Sequence, residues 1–295
     1  MFAKKNTVLA NLIYLFLKAL SYIPFWIWYG ISDFFFLLIY FVIGYRKKVV
    51  MQNLAIAFPE KSLSEKKKIA RKFYRNFSDF IIESIKNFSL SDKQLSQRYQ
   101  FENLDEFKQH ISSHKQGAVI AAGHQFNWEY MIYVGHLLNT PLQAYISYTP
   151  LSNKVLDRLI RKNRERFGLK LASASSFVKT LERAPQGELS ISGLISDQSP
   201  KANYKFRTAF FGVDVPFYTG PETIARKFDH SYWFLNVKKV KRGHYLVKYE
   251  LLTNKVDTYK KGELTQIFIN KLESLVRFQP ENYLWTHRRW KHASK

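Results

Sequence analysis

The stretch Gly117–Glu129, G-A-V-I-A-A-G-H-Q-F-N-W-E, decides how the rest of the chain is read. Its apolar run 118–122 has the length of a short buried strand, and Gly123 ends it. His124 follows at once, so the strand delivers a titratable ring to the edge of a sheet. Glu129 comes five residues later. Residues five apart on one α-helix point about 140° away from each other. The two side chains therefore meet only if the histidine precedes a helix that carries the glutamate. In that arrangement the carboxylate would hold the imidazole in one tautomer and stabilise the imidazolium formed on proton abstraction. Spacing alone leaves a second reading open, a half-buried histidine beside a surface glutamate, because an isolated H-x4-E has little specificity.

Working outward, β-like runs at 142–147, 189–195, 232–240 and 245–251 alternate with helical segments at 128–138, 153–167, 176–184, 221–228 and 263–278. Such alternation predicts an α/β fold, a mostly parallel central sheet flanked by helices, with an antiparallel pair late in the chain. Upstream, Ser62 and Glu65 form a capping box. The helix they open carries Ile69, Phe73, Phe77, Phe80, Ile81, Ile85 and Phe88 at amphipathic spacing, with lysines and arginines on its other face. Residues 46–59 read as a basic linker. No Pro/Gly/Ser-rich segment divides the chain after residue 60, so 46–295 is expected to form one domain.

Residues 8–45 are the most apolar part, with Lys18 and Asp33 the only charges. The segment is long enough to span a bilayer, which takes about 20 residues, and Tyr22, Trp26, Trp28 and Tyr29 resemble an interfacial belt. Pro24, Gly30 and Asp33 also allow a bent helix lying in one leaflet. Residues 1–45 are thus expected to be a membrane anchor. Lys4 and Lys5 precede the segment and Arg46, Lys47 and Lys48 follow it, so flanking charge does not settle orientation. The whole chain has 46 Lys+Arg against 23 Asp+Glu, a formal net charge of +23. That balance calls for an anionic partner. The absence of cysteine excludes disulfides, thiolate zinc sites and thiol nucleophiles. No G-x-S-x-G, P-loop, G-x-G-x-x-G or H-E-x-x-H motif is present, which removes the usual serine hydrolases, P-loop enzymes, dinucleotide enzymes and zincins. Nucleic acid is disfavoured as the partner, because no recognition motif accompanies the charge.

Several separated blocks together resemble the bacterial lipid A biosynthesis acyltransferases, the lauroyl/myristoyl transferase family. Tyr45-Arg46 with Asn53-Leu54-Ala55-Ile56-Ala57-Phe58-Pro59 is similar to its N-terminal signature, and Gly123–Glu129 to its G-H-x-G-N-W-E. Arg164-Glu165-Arg166-Phe167-Gly168, Asp197-Gln198-Ser199-Pro200, Phe210-Phe211-Gly212 and Tyr218-Thr219-Gly220-Pro221 follow in family order. Pro280–Lys291 resembles the closing P-E-x-x-x-W-x-H-R-R-W-K. Besides Tyr218, where the family's block reads P-T-G-P, a departure stands at Phe126, where the family usually has glycine, the residue that takes positive φ without strain. Phenylalanine there suggests either a different turn or a wall against an acyl chain.

The resemblance implies acyl transfer from an acyl carrier protein thioester to a hydroxyl of a lipid A precursor, with neither metal nor cofactor. On that reading His124 is the general base and Glu129 orients and charge-stabilises it. Arg164 is the first candidate to stabilise the oxyanion. Arg166, Asp197, Gln198 and Asn127 are substrate-binding candidates, and Trp285–Lys291 is expected to pack the domain shut, Arg288 and Arg289 making ion pairs. Both the acidic carrier protein and the precursor's phosphates suit a basic surface, as does anionic lipid of the inner membrane, with the active site facing the cytoplasm. Three alternatives stay open: a lysophospholipid, glycolipid or aminolipid acceptor, a membrane-tethered nucleic-acid binder, and an inactive lipid-binding scaffold.

Overall fold

A computed structural model of the chain describes residues 2–138 and 140–294, with side chains from Asn11 onward. Lys4 and Lys5 therefore lie outside the described side chains. Nine strands are described: β1 Tyr99–Phe101, β2 Ala118–Ala122, β3 Leu142–Tyr148, β4 Lys170–Ser173, β5 Leu189–Ile195, β6 Arg207–Phe210, β7 Val213–Pro216, β8 Ser231–Lys241 and β9 His244–Thr253. Seven of them form one sheet in the order β1-β9-β8-β2-β5-β3-β4. All neighbours are parallel except β8 and β9, the antiparallel pair expected late in the chain. β6 and β7 form a separate antiparallel hairpin.

β2 lies at the centre, and all five of its residues are buried. This is why its sequence is a continuous apolar run instead of an alternating one. From β2 the chain continues to β3 on one side. From β5 it passes the β6–β7 hairpin and reaches β8 on the opposite side of β2. Connections that diverge in this way open a crevice at the carboxyl ends of the two strands, where open α/β sheets hold ligands.

The helices are α1 Phe2–Ser21, α2 Phe25–Leu37, α3 Lys47–Ala57, α4 Leu63–Lys86, α5 Asp92–Arg98, α6 Leu104–His114, α7 Val134–Leu137, α8 Lys154–Glu165, α9 Phe177–Glu182, α10 Gly220–Phe228 and α11 Glu263–Phe278. A π-helical turn, Leu38–Ile43, extends α2. The linker expected over 46–59 is instead mostly α3, whose Val49, Val50, Asn53, Leu54 and Ala57 are buried. The Ser62–Glu65 capping box opens α4 as expected. Its buried face, however, includes Asp79, Glu83 and Lys86 along with Ala70, Phe73, Tyr74 and Ile82. The cause is α2, which packs along α4 and supplies polar partners such as Ser32 for Asp79 and Tyr29 for Glu83.

Candidate active site

His124 leaves the end of β2 into the crevice. Gly123 before it is packed so closely by α11 that a Cβ there would sit 2.4 Å from the Leu272 side chain. The histidine's carboxylate partner is set by strand register. Ala122 of β2 pairs with Ile195 of β5, so His124 and Asp197 each stand two residues beyond matched ends of adjacent parallel strands. Their contact is double. Asp197 Oδ1 lies 2.5 Å from His124 Nδ1, and the His124 backbone N–H donates to Asp197 Oδ2 at 2.9 Å. Asp197 is nearly inaccessible, at 2%. Burial alone would raise its pKa, but the His124 ring and the hydrogen bonds outweigh that and hold it below the usual carboxylate value. A carboxylate on Nδ1 fixes the proton there and leaves Nε2 as the basic atom. Gln198 Nε2 rests 3.2 Å from that nitrogen.

The expected contact between His124 and Glu129 is not made. Residues Trp128–Tyr133 form a 3₁₀ turn instead of the start of a long helix, and Asn127 Oδ1 caps it by accepting from the Glu129 N–H at 2.9 Å. From the second residue of this turn Glu129 reaches α8, where Arg164 grips it with Nε at 3.1 Å and Nη2 at 2.5 Å. Desolvation works against the Arg164 charge, yet the Glu129 carboxylate prevails and raises its pKa further. Trp128 connects the two pairs. Its ring meets the His124 ring edge-on at 5.0 Å, and its Nε1 donates to Glu129 Oε1 at 3.2 Å.

Asn127 is fully buried and faces inward, its Nδ2 donating to Glu83 Oε2 at 3.0 Å. Phe126, also fully buried, lies among Phe73, Phe77, Phe80 and Trp128. It is not among the residues with positive φ, so the turn here does not use the freedom a glycine would offer. The C-terminal run completes the frame. The Leu284 N–H donates to the His124 carbonyl at 3.2 Å, and the Phe126 N–H to that of Asn282 at 3.1 Å. His287 Nε2 accepts the Ser199 N–H at 3.0 Å, beside the Asp197-Gln198 pair.

The chain as a whole matches the family model described as bacterial lipid A biosynthesis acyltransferase over residues 2–292. The chain belongs to that family. Among curated proteins it is 21% identical over 248 residues to the lipid A biosynthesis palmitoleoyltransferase of Escherichia coli (strain K12), covering 83% of this chain and 79% of the relative. A lipid A biosynthesis acyltransferase of Shigella flexneri matches to the same extent. The protein is therefore an acyltransferase of the lipid A type.

Other blocks of this acyltransferase are tied to one another by hydrogen bonds and ring contacts. Arg46 Nη1 donates to the Thr286 carbonyl at 3.0 Å, and Asn53 Nδ2 to those of Trp285 and His287 at 2.8 and 2.7 Å. The N-terminal signature thus clasps the C-terminal one. Trp285, Arg289 and Trp290 are buried in the core. Arg289 stacks 3.8 Å over Phe217 and donates to the Pro216 carbonyl, so it packs against a ring and a backbone oxygen where an ion pair was expected. Arg166 donates to the Leu90 carbonyl at 2.9 Å and lines a cleft of about 810 Å³ with Tyr14, Lys154, Arg158, Arg161 and Lys162, where the carboxylates of Asp157 and Glu165 offset part of the positive charge.

Trp128, no more than a motif residue in the sequence, joins the site, and Asp197, expected to bind substrate, holds the histidine instead. A signal for Asp197 was available in the equal overhang of His124 and Asp197 beyond two apolar runs, once those runs are taken as neighbours.

Proposed function

We propose that this acyltransferase moves a fatty acyl chain from an acyl carrier protein thioester to a hydroxyl on a lipid A precursor, with His124 as general base. The observation that carries the reading is the His124–Asp197 pair at the crevice, with the Arg164–Glu129 pair across Trp128 from it. An alcohol is a poor nucleophile until a base accepts its proton in the transition state. The acceptor hydroxyl would take the place of the Gln198 amide at Nε2. Its proton passes to Nε2 as its oxygen bonds to the thioester carbonyl carbon, and Asp197 balances the imidazolium. Collapse of the tetrahedral intermediate breaks the carbon–sulfur bond, and the departing thiolate takes the proton from Nε2. An ester and a free thiol result. Arg164 uses Nε and Nη2 on Glu129, which leaves Nη1 to meet the oxyanion.

The basic cleft lies on the same helix as Arg164, and its cations suit a phosphate of the acceptor or an acidic face of the donor. Among the described residues, one helix, Phe25–Ile43, is long and apolar enough to cross a membrane, which is in keeping with membrane attachment. Placement on the cytoplasmic side of the inner membrane follows from the proposed carrier-protein donor.

Purified protein in detergent micelles, offered carrier-protein thioesters and tetra-acylated lipid A precursor, tests the reading. The palmitoleoyl thioester is offered first, given the name of the Escherichia coli relative. Acylated product is expected from the wild type, with a loss of about 10²- to 10⁴-fold in His124→Ala. Turnover in that variant at the wild-type rate would refute the base. No product with any of the thioesters would leave lysophospholipid, glycolipid and aminolipid acceptors, and failure on those too would favour an inactive scaffold.

A further inference from the structure

The apolar N-terminal helix is held in a way that bears on how the protein meets lipid. We propose that α2 and its π-helical extension lie in the plane of one leaflet and do not cross the bilayer, with their outer face in the acyl boundary and the basic face of α4 at the headgroups. The proposal rests on the membrane association argued above.

By length alone the helix could span. Its 19 residues measure about 28 Å, against a hydrocarbon core of about 30 Å. Its contacts point the other way. Trp28, Ser32, Phe36 and Tyr40, each four residues apart, form a buried stripe along one side. The stripe is fastened to α4 at every level, in antiparallel order. Lys86 Nζ donates to the carbonyls of Ser21 and Ile23 ahead of α2. Tyr29 Oη donates to Glu83 at 3.1 Å, Ser32 Oγ donates to Asp79 at 2.7 Å, and the Tyr40 and Tyr74 rings lie 5.3 Å apart.

A third element joins at the middle. Arg242, at the turn between β8 and β9, donates to Asp33 at 2.9 and 3.1 Å and to Asp79 at 2.6 Å. Next to it Gly243, with φ +71°, approaches so closely that a Cβ would lie 1.9 Å from the Tyr29 hydroxyl. Asp33 is next to Phe34, the midpoint of Phe25–Ile43. A spanning α2 would thus place an aspartate at the bilayer centre, where ionised side chains are most costly. It would also draw in Arg242 and the charged α4. An in-plane helix avoids both. Its opposite side is apolar and open: Trp26 and Val42 are each 76% exposed, and Phe34, Leu37, Phe41 and Ile43 are more than half exposed. Arg71 and Arg75 of α4 lie over Phe41 and Phe36 at 5.9 and 5.3 Å, placing cations beside that face as an interfacial helix requires.

Because the chain has no cysteine, depth can be read from single variants of the full-length protein at exposed positions: Trp26→Cys, Phe34→Cys and Val42→Cys. Each is labelled with an environment-sensitive fluorophore and bound to phosphatidylethanolamine/phosphatidylglycerol vesicles carrying quenchers at shallow or deep acyl positions. The expected result is stronger quenching by the shallow probe at all three, at one common depth about 5–10 Å into the headgroup/acyl boundary. Phe34→Cys deepest, about 15 Å from either surface, with the other two near opposite faces, would overturn the proposal. So would the absence of quenching at every position. Depth is read without turnover, so failure of the transfer assay alongside a common shallow depth would count against the function only.

Discussion

At the scale of single residues, the crevice joins two ion-like pairs through one tryptophan. The individual members were legible in the sequence: His124, Glu129, Arg164, Asp197 and Gln198 all stand in short motifs. Their pairing was not, because the five-residue spacing was read along a helix that begins as a tighter 3₁₀ turn. His287 adds a pH dependence. Burial lowers its pKa to about 4, and its Nε2 must stay unprotonated to accept the Ser199 N–H. With the folded value below the unfolded value of about 6.5, the unfolded chain binds more protons between those pH values. The stabilisation is therefore complete above about pH 6.5 and lost progressively toward pH 4. His287→Gln keeps an acceptor that does not titrate, so its melting temperature should fall less between pH 7 and pH 5 than that of the wild type. His230, also lowered by burial to about 4, contributes the same slope to both proteins. Equal slopes in a pair of melting series would refute the role given to His287.

Among elements, strands were read with most success. β2 and β5 agree with their apolar runs to the residue, and β3, β8 and β9 differ by one or two residues at their ends. β1, β4 and the β6–β7 hairpin were missed; at three or four residues each they carry too little pattern to read. The face of α4 was misread for another reason. Hydrophobic spacing cannot reveal that a second helix will supply partners for Asp79 and Glu83. Phe126 belongs to this scale, since its ring fastens the loop after β2 to Phe73, Phe77 and Phe80 of α4. Phe126→Gly restores the residue usual in the family and yet should destabilise the protein by about 3–5 kcal/mol, the range for emptying a buried aromatic site. Denaturant unfolding in detergent measures this. Stability equal to the wild type would mean that the turn has a glycine conformation within easy reach.

For the whole molecule, the formal charge of +23 and the basic cleft on α8 predict that the donor is drawn in by long-range attraction. Between about 0.1 and 1 M salt the screening length falls from about 10 to 3 Å. Over that range KM for an acidic carrier-protein thioester should rise severalfold, while kcat stays nearly level. A KM indifferent to salt would remove charge from the account of donor binding. The family's N- and C-terminal signatures were readable as motifs, but their mutual contact was not. Arg46 and Asn53 reach carbonyls of residues 285–287 across more than 230 positions of chain, a distance that no local pattern encodes.

The claim on which the account turns is that Asp197, and not Glu129, holds the catalytic imidazole. Acyl transfer by Asp197→Asn and Glu129→Gln, with kcat and KM for the acceptor resolved, tests it most directly. Asp197→Asn is expected to keep KM and to lose about 10²- to 10⁴-fold in kcat, the scale of a misheld general base, whereas Glu129→Gln should leave the pH profile of kcat unshifted. An Asp197→Asn enzyme that turns over at nearly the wild-type rate, while Glu129→Gln shows that loss together with a shifted pH profile, would contradict it.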